Sequence, residues 1–209
     1  MKKLLLLSIL FLNFICYSQK QIFESPQLSS TVKEHKVVAI LPFIVKITYK
    51  KQPKNFSSDA NKDQEIKMAK SIQSSMYTFL LRKADKYSVG FQDVEKTNIL
   101  LKKAGISDKL DEMTKDEVAK ALGVDAVVSG AFETEQTKTE AGAIVTAVLF
   151  GGFGGKTGSG SLTMMINNGA DGELLWRFFK TMDDSIGTST DDLVESMMRK
   201  VSRNFPYLK

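Results

Sequence analysis

The stretch VVAILPFIV at residues 37–45 decides the fold. It is an unbroken apolar run rich in β-branched residues, and it does not alternate with polar residues, which is typical of a strand covered on both faces. Pro42 lies inside this run and has no N–H to donate to a sheet ladder. The sequence therefore predicts a buried strand whose edge is open or bulged at Pro42.

A long amphipathic helix is predicted downstream of this strand. After the polar loop 50–61, apolar residues recur at three- and four-residue spacing from Ile66 to Leu80 and form one stripe. The opposite face carries Lys, Gln and Ser. Because nothing polar converges on the stripe, it is interpreted as hydrophobic core rather than as a cofactor site.

Two shorter helices are indicated by their capping residues. Asp93 can cap a helix that ends at Gly105. Thr114 and Glu117 have capping-box spacing, in which each side chain satisfies a free backbone N–H of the first turn. Gly123 supplies the left-handed stop of that helix.

The remaining elements complete the predicted fold class. Strand candidates lie at 87–91, 126–132, 162–167 and 174–182, and the turn residues between the last two predict a hairpin. Apolar spacing from 194 to 205 predicts a closing helix. The sequence therefore predicts an α/β protein: a single domain with a mixed β-sheet flanked by helices and a C-terminal helix.

The amino terminus predicts export. Lys2 and Lys3 precede an apolar stretch that is too short for a membrane span, and residues 1–18 are interpreted as a signal peptide cleaved after Ser18. Cys16 leaves a second interpretation open, an outer-membrane lipoprotein acylated at that cysteine, although the residues before it are bulky. The predicted location is the periplasm, with the lipoprotein as the alternative.

Residues 19–36 are predicted to form a flexible leader, because they are polar and show neither helical nor strand periodicity. The folded domain is accordingly assigned to residues 37–209. His35, the only histidine of the chain, falls in this leader. Histidine base catalysis and paired-histidine metal sites are therefore not expected.

Charge and cysteine content narrow the functional classes further. The formal net charge is +5, and the lysines are interspersed with acids rather than gathered on one stripe, so nucleic acid is not an expected partner. Loss of Cys16 with the signal peptide would leave no cysteine for disulfides, thiol catalysis or metal binding.

A phosphate-binding loop is suggested and then rejected at residues 155–157, which read Gly-Lys-Thr. A P-loop requires glycine where Phe150 stands, and it requires a helix to begin at the lysine, whereas Gly158, Ser159 and Gly160 follow. The segment is interpreted as a flexible glycine-rich loop tip.

The polar residues between 59 and 65 alternate in the manner of the first half of a calcium loop. Gln64 occupies the position that requires glycine, and Lys70 occupies that of the bidentate glutamate, so a solvated helix start is the preferred interpretation. The sequence predicts no metal, no cofactor and no catalytic residue, and an enzyme is not expected.

The most unusual segment is an apolar, glycine-rich insert at residues 141–160. Residues 141–150 are almost entirely small or apolar, and Gly-Gly-Phe-Gly-Gly follows directly. The insert is interpreted either as a buried strand or flap ending in a glycine loop, or as a partner or membrane contact. The candidate contact residues are Val148, Leu149, Phe150 and Phe153.

Four sequence blocks, in this order, resemble the envelope superfamily that includes the curli secretion channel protein CsgG, the penicillin-binding-protein activator LpoB and TolB amino-terminal-like domains. The blocks are VAILPF at 38–43, QDVE at 92–95, ALGVDAVVSG at 121–130, and 162–176 with its closing DGELLW. The resemblance extends over most of residues 37–209.

The resemblance implies an α/β domain in a Gram-negative envelope that works by binding or assembly and not by catalysis. The expected function is a non-enzymatic periplasmic accessory protein in the assembly or regulation of envelope components. Its expected partners are an envelope protein or a component of peptidoglycan synthesis or secretion, with peripheral membrane contact or a second copy of the chain as further expectations. The alternative is a subunit of an oligomeric outer-membrane secretion channel.

Overall fold

A computed structural model describes residues 21–136, 160–182 and 190–209 of the 209-residue chain. In chain order the helices and strands are β1 (Gln21–Glu24), α1 (Leu28–Thr31), β2 (Val37–Ile40), β3 (Ile44–Tyr49), α2 (Ser58–Leu81), β4 (Gly90–Phe91), α3 (Val94–Lys103), α4 (Lys115–Leu122), β5 (Ala126–Gln136), β6 (Gly160–Asn168), β7 (Leu174–Met182) and α5 (Thr190–Val201). Short 3-10 helices lie at Ala84–Lys86 and Ser202–Asn204.

The strands form one mixed sheet, which confirms the predicted fold class. Within the described ranges the order is β1-β7-β6-β5-β2-β4, and β3 also pairs with β5. β5 pairs antiparallel with β6 on one side, and parallel with β2 and then β3 on the other. β6 and β7 form the predicted antiparallel hairpin, and α5 is the predicted C-terminal helix.

The predicted irregularity at Pro42 is confirmed as a bulge. Ile40 pairs with Val128 and Ile44 pairs with Ala131, so three residues of the bulged strand lie opposite two of β5. The bulge divides the predicted single strand 37–45 into β2 and β3. The prediction that both faces of the strand are buried is confirmed for β2. It is wrong for the start of β3, where Ile44 is 61% exposed.

The two faces of the sheet are covered unequally. The larger core lies between one face and helices α2 and α5; among its largest fully buried side chains are Trp176, Tyr207, Phe132 and Phe178. The smaller core lies on the other face and joins α3 and α4 to β2 and β5, through residues such as Ala39, Leu101, Val118 and Val127. Helices α3 and α4 therefore cover only part of the second face.

The predicted caps of α3 and α4 are confirmed. Asp93 accepts a hydrogen bond from Lys96 N at 2.9 Å and so satisfies a free N–H of the first turn of α3. Thr114 and Glu117 form the capping box of α4. Gly123 ends α4 with a φ of 65°, in the left-handed region that glycine adopts without steric cost.

The buried face of α2 differs from its predicted stripe of Ile66, Ala69, Ile72, Met76, Phe79 and Leu80 at three residues, one of which is the additionally buried Met68. Ile66 is 44% exposed and contributes little to the core. Gln73, a polar residue, is fully buried and donates to Ile40 O at 2.7 Å. It also exchanges hydrogen bonds with Asn98, so the amide is satisfied in an apolar environment where an unpaired amide would be costly.

The flexible leader predicted at 19–36 is corrected from residue 21 onward. Gln21–Glu24 forms β1, which pairs antiparallel with β7, and Leu28–Thr31 forms helix α1. Most of β1 is exposed on both faces, so its pairing depends on backbone hydrogen bonds that leave no side-chain periodicity to detect. His35 is also not in a leader, because its side chain is buried.

The described ranges contain no helix that is both long and apolar enough to cross a membrane.

Gly130→Ala is expected to lower the free energy of unfolding by about 1–3 kcal/mol, the usual cost of overpacking a core. A Cβ at Gly130 would lie 2.7 Å from Phe43 Cδ1 and 2.8 Å from Phe43 Cζ. Gly90→Ala is the matched control, since the nearest atom to its Cβ, Lys36 O, is 3.7 Å away. Urea denaturation measures both variants, and equal stability of the two would contradict the tight packing of Phe43 against Gly130.

Candidate functional site

The contact residues predicted from the insert, Val148, Leu149, Phe150 and Phe153, lie outside the described residues, and that prediction stays untested. The insert connects β5, which ends at Gln136, to β6, which begins at Gly160. The rejected phosphate-loop residues 155–157 fall in the same undescribed range. The described surface carries other groups of side chains that could form a site.

The alternating polar residues 59–65 lie on the first turns of α2, and two of them bind the outer edge of β3. Glu65 Oε1 accepts from Ile47 N at 2.8 Å, and Asn61 Nδ2 donates to Ile47 O at 3.3 Å. Tyr49 Oη donates to Asn61 Oδ1 at 3.1 Å. Burial and the charge of Glu65 raise the pKa of Tyr49. These side chains satisfy the edge backbone at Ile47 and so oppose pairing with another strand there.

No group of three or more His, Cys, Asp or Glu side chains in the described residues is arranged to hold a metal ion.

The second face of the sheet carries exposed apolar side chains beyond the reach of α3 and α4. Phe23 on β1 is 48% exposed and Ile44 on β3 is 61% exposed. Between them, Phe179 and Met165 are partly exposed. We call this surface the open face; its members are Phe23, Ile44, Ala131, Thr163, Met165, Arg177 and Phe179.

Strand register places the members of the open face in two adjoining rows. In one row Arg177 pairs with Phe23 on one side and with Met165 on the other. In the other row Phe179, Thr163, Ala131 and Ile44 are successive partners across four strands. Cross-strand partners stand close together, so the apolar side chains form a continuous surface.

Arg177 gives the open face a cation beside its aromatic rings. Its guanidinium carbon lies 6.0 Å from the centre of the Phe179 ring, at the limit of a cation–π contact. Aromatic residues, Met and Arg are the side chains enriched in protein–protein interfaces. The open face has that composition, whereas the solvated face of an antiparallel sheet is normally polar.

The sheet has its least protected edge next to the open face. β1 ends the strand order, and within the described chain it pairs only with β7. The opposite terminal strand, β4, is only two residues long, and the edge of β3 is bound by Asn61 and Glu65. β1 contains neither Pro nor Lys, the residues that commonly protect an edge strand.

Sequence reasoning already separated the two faces of β7 but did not identify the open face. Alternation along the predicted strand 174–182 puts Trp176 and Phe178 on one face, and both are fully buried in the structure. The same alternation puts Arg177 and Phe179 on the other face. Whether that face is covered depends on where the helices pack, which no local pattern gives.

A buried polar network lies at the end of the sheet where β2 and β5 begin. His35 Nδ1 is 2.8 Å from Tyr207 Oη, and His35 Nε2 is 3.2 Å from Asn168 Oδ1. Asn168 Nδ2 donates to Asp171 Oδ2 at 3.0 Å. The network joins the segment before β2, the end of β6 and the carboxyl-terminal residues of the chain.

The hydrogen positions in this network follow from Asp171. Asn168 donates from its Nδ2 to Asp171 and so presents its Oδ1, which can only accept, to His35. His35 Nε2 must therefore carry the hydrogen, and Nδ1 accepts from the Tyr207 hydroxyl. Burial, aided by the charge of Asp125, raises the pKa of Tyr207, which keeps this hydroxyl a donor.

Asp125 joins the amino-terminal end of β2 to that of β5. Its Oδ2 accepts from Lys36 N and from Val37 N, each at 2.8 Å. The hydrogen bond from Val37 N is the largest cause that lowers the pKa of Asp125; desolvation opposes it, and Lys36 N and the charge of Lys36 assist it. The adjoining open depression, of ≈ 520 Å³, has Asp116, Lys120 and Asp125 on its rim, so it does not favour ligands of one charge.

Comparisons with known proteins gave structural likeness only. No protein-family model matches the chain, and no curated protein matches it. The solved lipoprotein GNA1162 from Neisseria meningitidis is similar at 12% identity, with 81% of this chain and 98% of that chain covered and a TM-score of 0.44. The LpoB C-terminal domain from Salmonella enterica is similar at 11% identity, with coverages of 76% and 93% and a TM-score of 0.37.

A PelC dodecamer from Paraburkholderia phytofirmans is similar at 13% identity, with coverages of 91% and 98% and a TM-score of 0.35. LpoB, which belongs to the superfamily that the sequence blocks resemble, is thus among the similar structures. At these identities and TM-scores the likenesses carry no argument about the function of this chain.

Asp125→Asn is expected to lower the free energy of unfolding at neutral pH by about 1 kcal/mol, since a neutral amide is a weaker acceptor and the site is largely solvated. The pKa of Asp125 is lower in the folded protein than in the unfolded chain, where it is about 3.9. The stabilisation is therefore fully present at a pH above about 3.9, and it is lost as the pH falls through the folded-state pKa. Urea denaturation from neutral to acidic pH should show the two proteins converging. A pH-independent difference, or an equal loss in Asp108→Asn, an exposed control, would contradict this.

Tyr207→Phe is expected to lower the free energy of unfolding by about 1–3 kcal/mol, because it leaves His35 Nδ1 buried without a donor. His35→Phe removes the other partner. The double variant should lose less than the sum of the two single losses, since both break the same hydrogen bond. Chemical denaturation of the four proteins gives the coupling energy, and strictly additive losses would show that the His35 to Tyr207 hydrogen bond does not stabilise the fold.

Proposed function

We propose that this chain is a non-enzymatic accessory protein of the bacterial cell envelope that acts by binding another envelope protein. Export is supported by the predicted signal peptide at residues 1–18. The envelope compartment is supported by the four sequence blocks that resemble the CsgG, LpoB and TolB amino-terminal-like superfamily. Binding is supported by the open face, and this observation carries the proposal.

The open face supports binding because its composition is costly for a surface that stays in water. Phe23 and Ile44 leave about half or more of their side chains exposed, and they belong to one continuous set of rows. Single exposed apolar residues are ordinary, but a contiguous patch marks an interaction site. A partner that covers the patch gains the hydrophobic free energy of both surfaces.

The occupant that fits best is an extended segment of a partner protein. Such a segment can hydrogen-bond to the outer edge of β1, which within the described chain has no paired strand beyond it. Its apolar side chains would then lie over Phe23 and Phe179, and a carboxylate among them would face Arg177. Added strands of this kind obtain affinity from the backbone and specificity from alternate side chains.

Photo-crosslinking in the native host tests the proposal. A photoreactive residue at Phe23 should give an adduct with one envelope protein, identified by mass spectrometry. The same residue at Ile99 is the matched control, because Ile99 is comparably exposed, at 53%, but lies on α3. Identical adducts at both positions, or none at Phe23, would contradict binding at the open face.

Affinity measurements with the crosslinked partner complete the test. Phe23→Asp should weaken binding at least about tenfold, as expected for an aromatic residue at the centre of an interface, whereas Ile99→Asp should not. Thermal unfolding of both variants confirms that the fold is retained. Unchanged affinity in Phe23→Asp would exclude the proposed contact even if the adduct had formed. Adducts between copies of this chain alone would instead favour the channel-subunit alternative.

A further inference from the structure

The connection between β3 and α2 is a compact cluster of lysines. We call residues 50–57 the lysine loop; it contains Lys50, Lys51 and Lys54, all exposed. From Ile44 to Ser58 the sequence has no acidic residue. The loop therefore carries three positive charges and no negative charge of its own.

An aromatic side chain lies among these lysines. Phe56 is 38% exposed, and its ring packs edge-on against Tyr49 at 5.6 Å between centroids. Pro53 is buried, and its carbonyl accepts from Phe56 N at 3.1 Å, which closes a turn. These contacts hold Phe56 at the surface beside the lysines.

The carboxylates around the loop do not outnumber its lysines. Glu133 stands opposite Lys46, and Glu65 is hydrogen-bonded to Ile47 N, so both are engaged on β3. Asp59 and Glu135 flank the loop in sequence and in strand pairing, and the three lysines outnumber these two acids.

The lysines and Phe56 together have the composition of a membrane-surface contact. Lysines beside an exposed aromatic side chain attach proteins to an anionic lipid surface, because the ammonium groups bind the head groups and the ring enters the boundary with the acyl chains.

We propose that the lysine loop docks on the head groups of an anionic lipid bilayer. The three ammonium groups lie against lipid phosphates, and Phe56 enters the boundary between head groups and acyl chains. The proposed site consists of the lysine loop alone. It goes beyond the proposed function, because both the surface and the partner differ from the open face and its protein.

Vesicle co-sedimentation of the purified protein, as its host produces it, tests this docking. The probes are vesicles of phosphatidylglycerol mixed with phosphatidylcholine, and vesicles of phosphatidylcholine alone. A lipid on Cys16 would raise binding to both, so the loop is measured by the preference for the anionic vesicles. That preference should weaken as salt is added.

A triple variant combines Lys50→Gln, Lys51→Gln and Lys54→Gln. Its partition coefficient into the anionic vesicles should fall about fivefold for each lysine replaced, or about a hundredfold in all. The matched control replaces the equally exposed Lys102, Lys103 and Lys109 by Gln and should retain most of the preference. Phe56→Ala should weaken binding to anionic vesicles without changing its salt dependence.

Three results would overturn the assignment. They are equal partitioning of the parent protein into both vesicle types, equal losses in the two triple variants, and loop-dependent binding to a soluble polyanion such as DNA without vesicle binding. Crosslinking from Phe23 is independent of the loop, so failure of one proposal leaves the other to be judged on its own data.

Discussion

The rest of the sheet depends on the bulge at Pro42, which comes directly after Leu41, the residue whose N–H donates to Val128 O of β5. The chain bulges there, and β5 accepts two short parallel strands in succession along one edge. Phe43 turns its ring over Gly130, where only a hydrogen leaves room. As a result β2 lies between β4 and β5, whereas β3 pairs within the described chain only with β5. The bulge thus creates an edge that strand pairing does not protect.

Helix α2 protects that edge with polar side chains beside its apolar stripe. Asn61 and Glu65 bind the backbone of Ile47, and Gln73 donates to the carbonyl of Ile40, the last paired residue before the bulge. One helix therefore buries the sheet and satisfies its irregular backbone. This explains why a fully buried glutamine is tolerated on a hydrophobic face, and it gives Glu65 a structural role at the edge of β3.

Local signals were enough to predict β2, the caps and the β6–β7 hairpin, because Pro42, Asp93, the Thr114 to Glu117 pair and strand alternation act over a few residues. β1 could not be found in this way, since an exposed edge strand is specified by its partner's backbone. The burial of His35 depends on Tyr207 and Asn168, which are 172 and 133 residues away in sequence. The open face depends similarly on where α3 and α4 stop.

The two proposed surfaces can be occupied together because of their places in the sheet. The lysine loop follows β3, and the proposed protein-binding edge is β1, which is separated from β3 by β5, β6 and β7. Four strand spacings amount to about 19 Å. A bilayer that docked on the loop would therefore leave β1, on the opposite side of the open face from Ile44, available to a partner. Docking would then restrict the diffusion of this protein to the membrane surface, where it would meet that partner. The loop would contribute no contact to the open face.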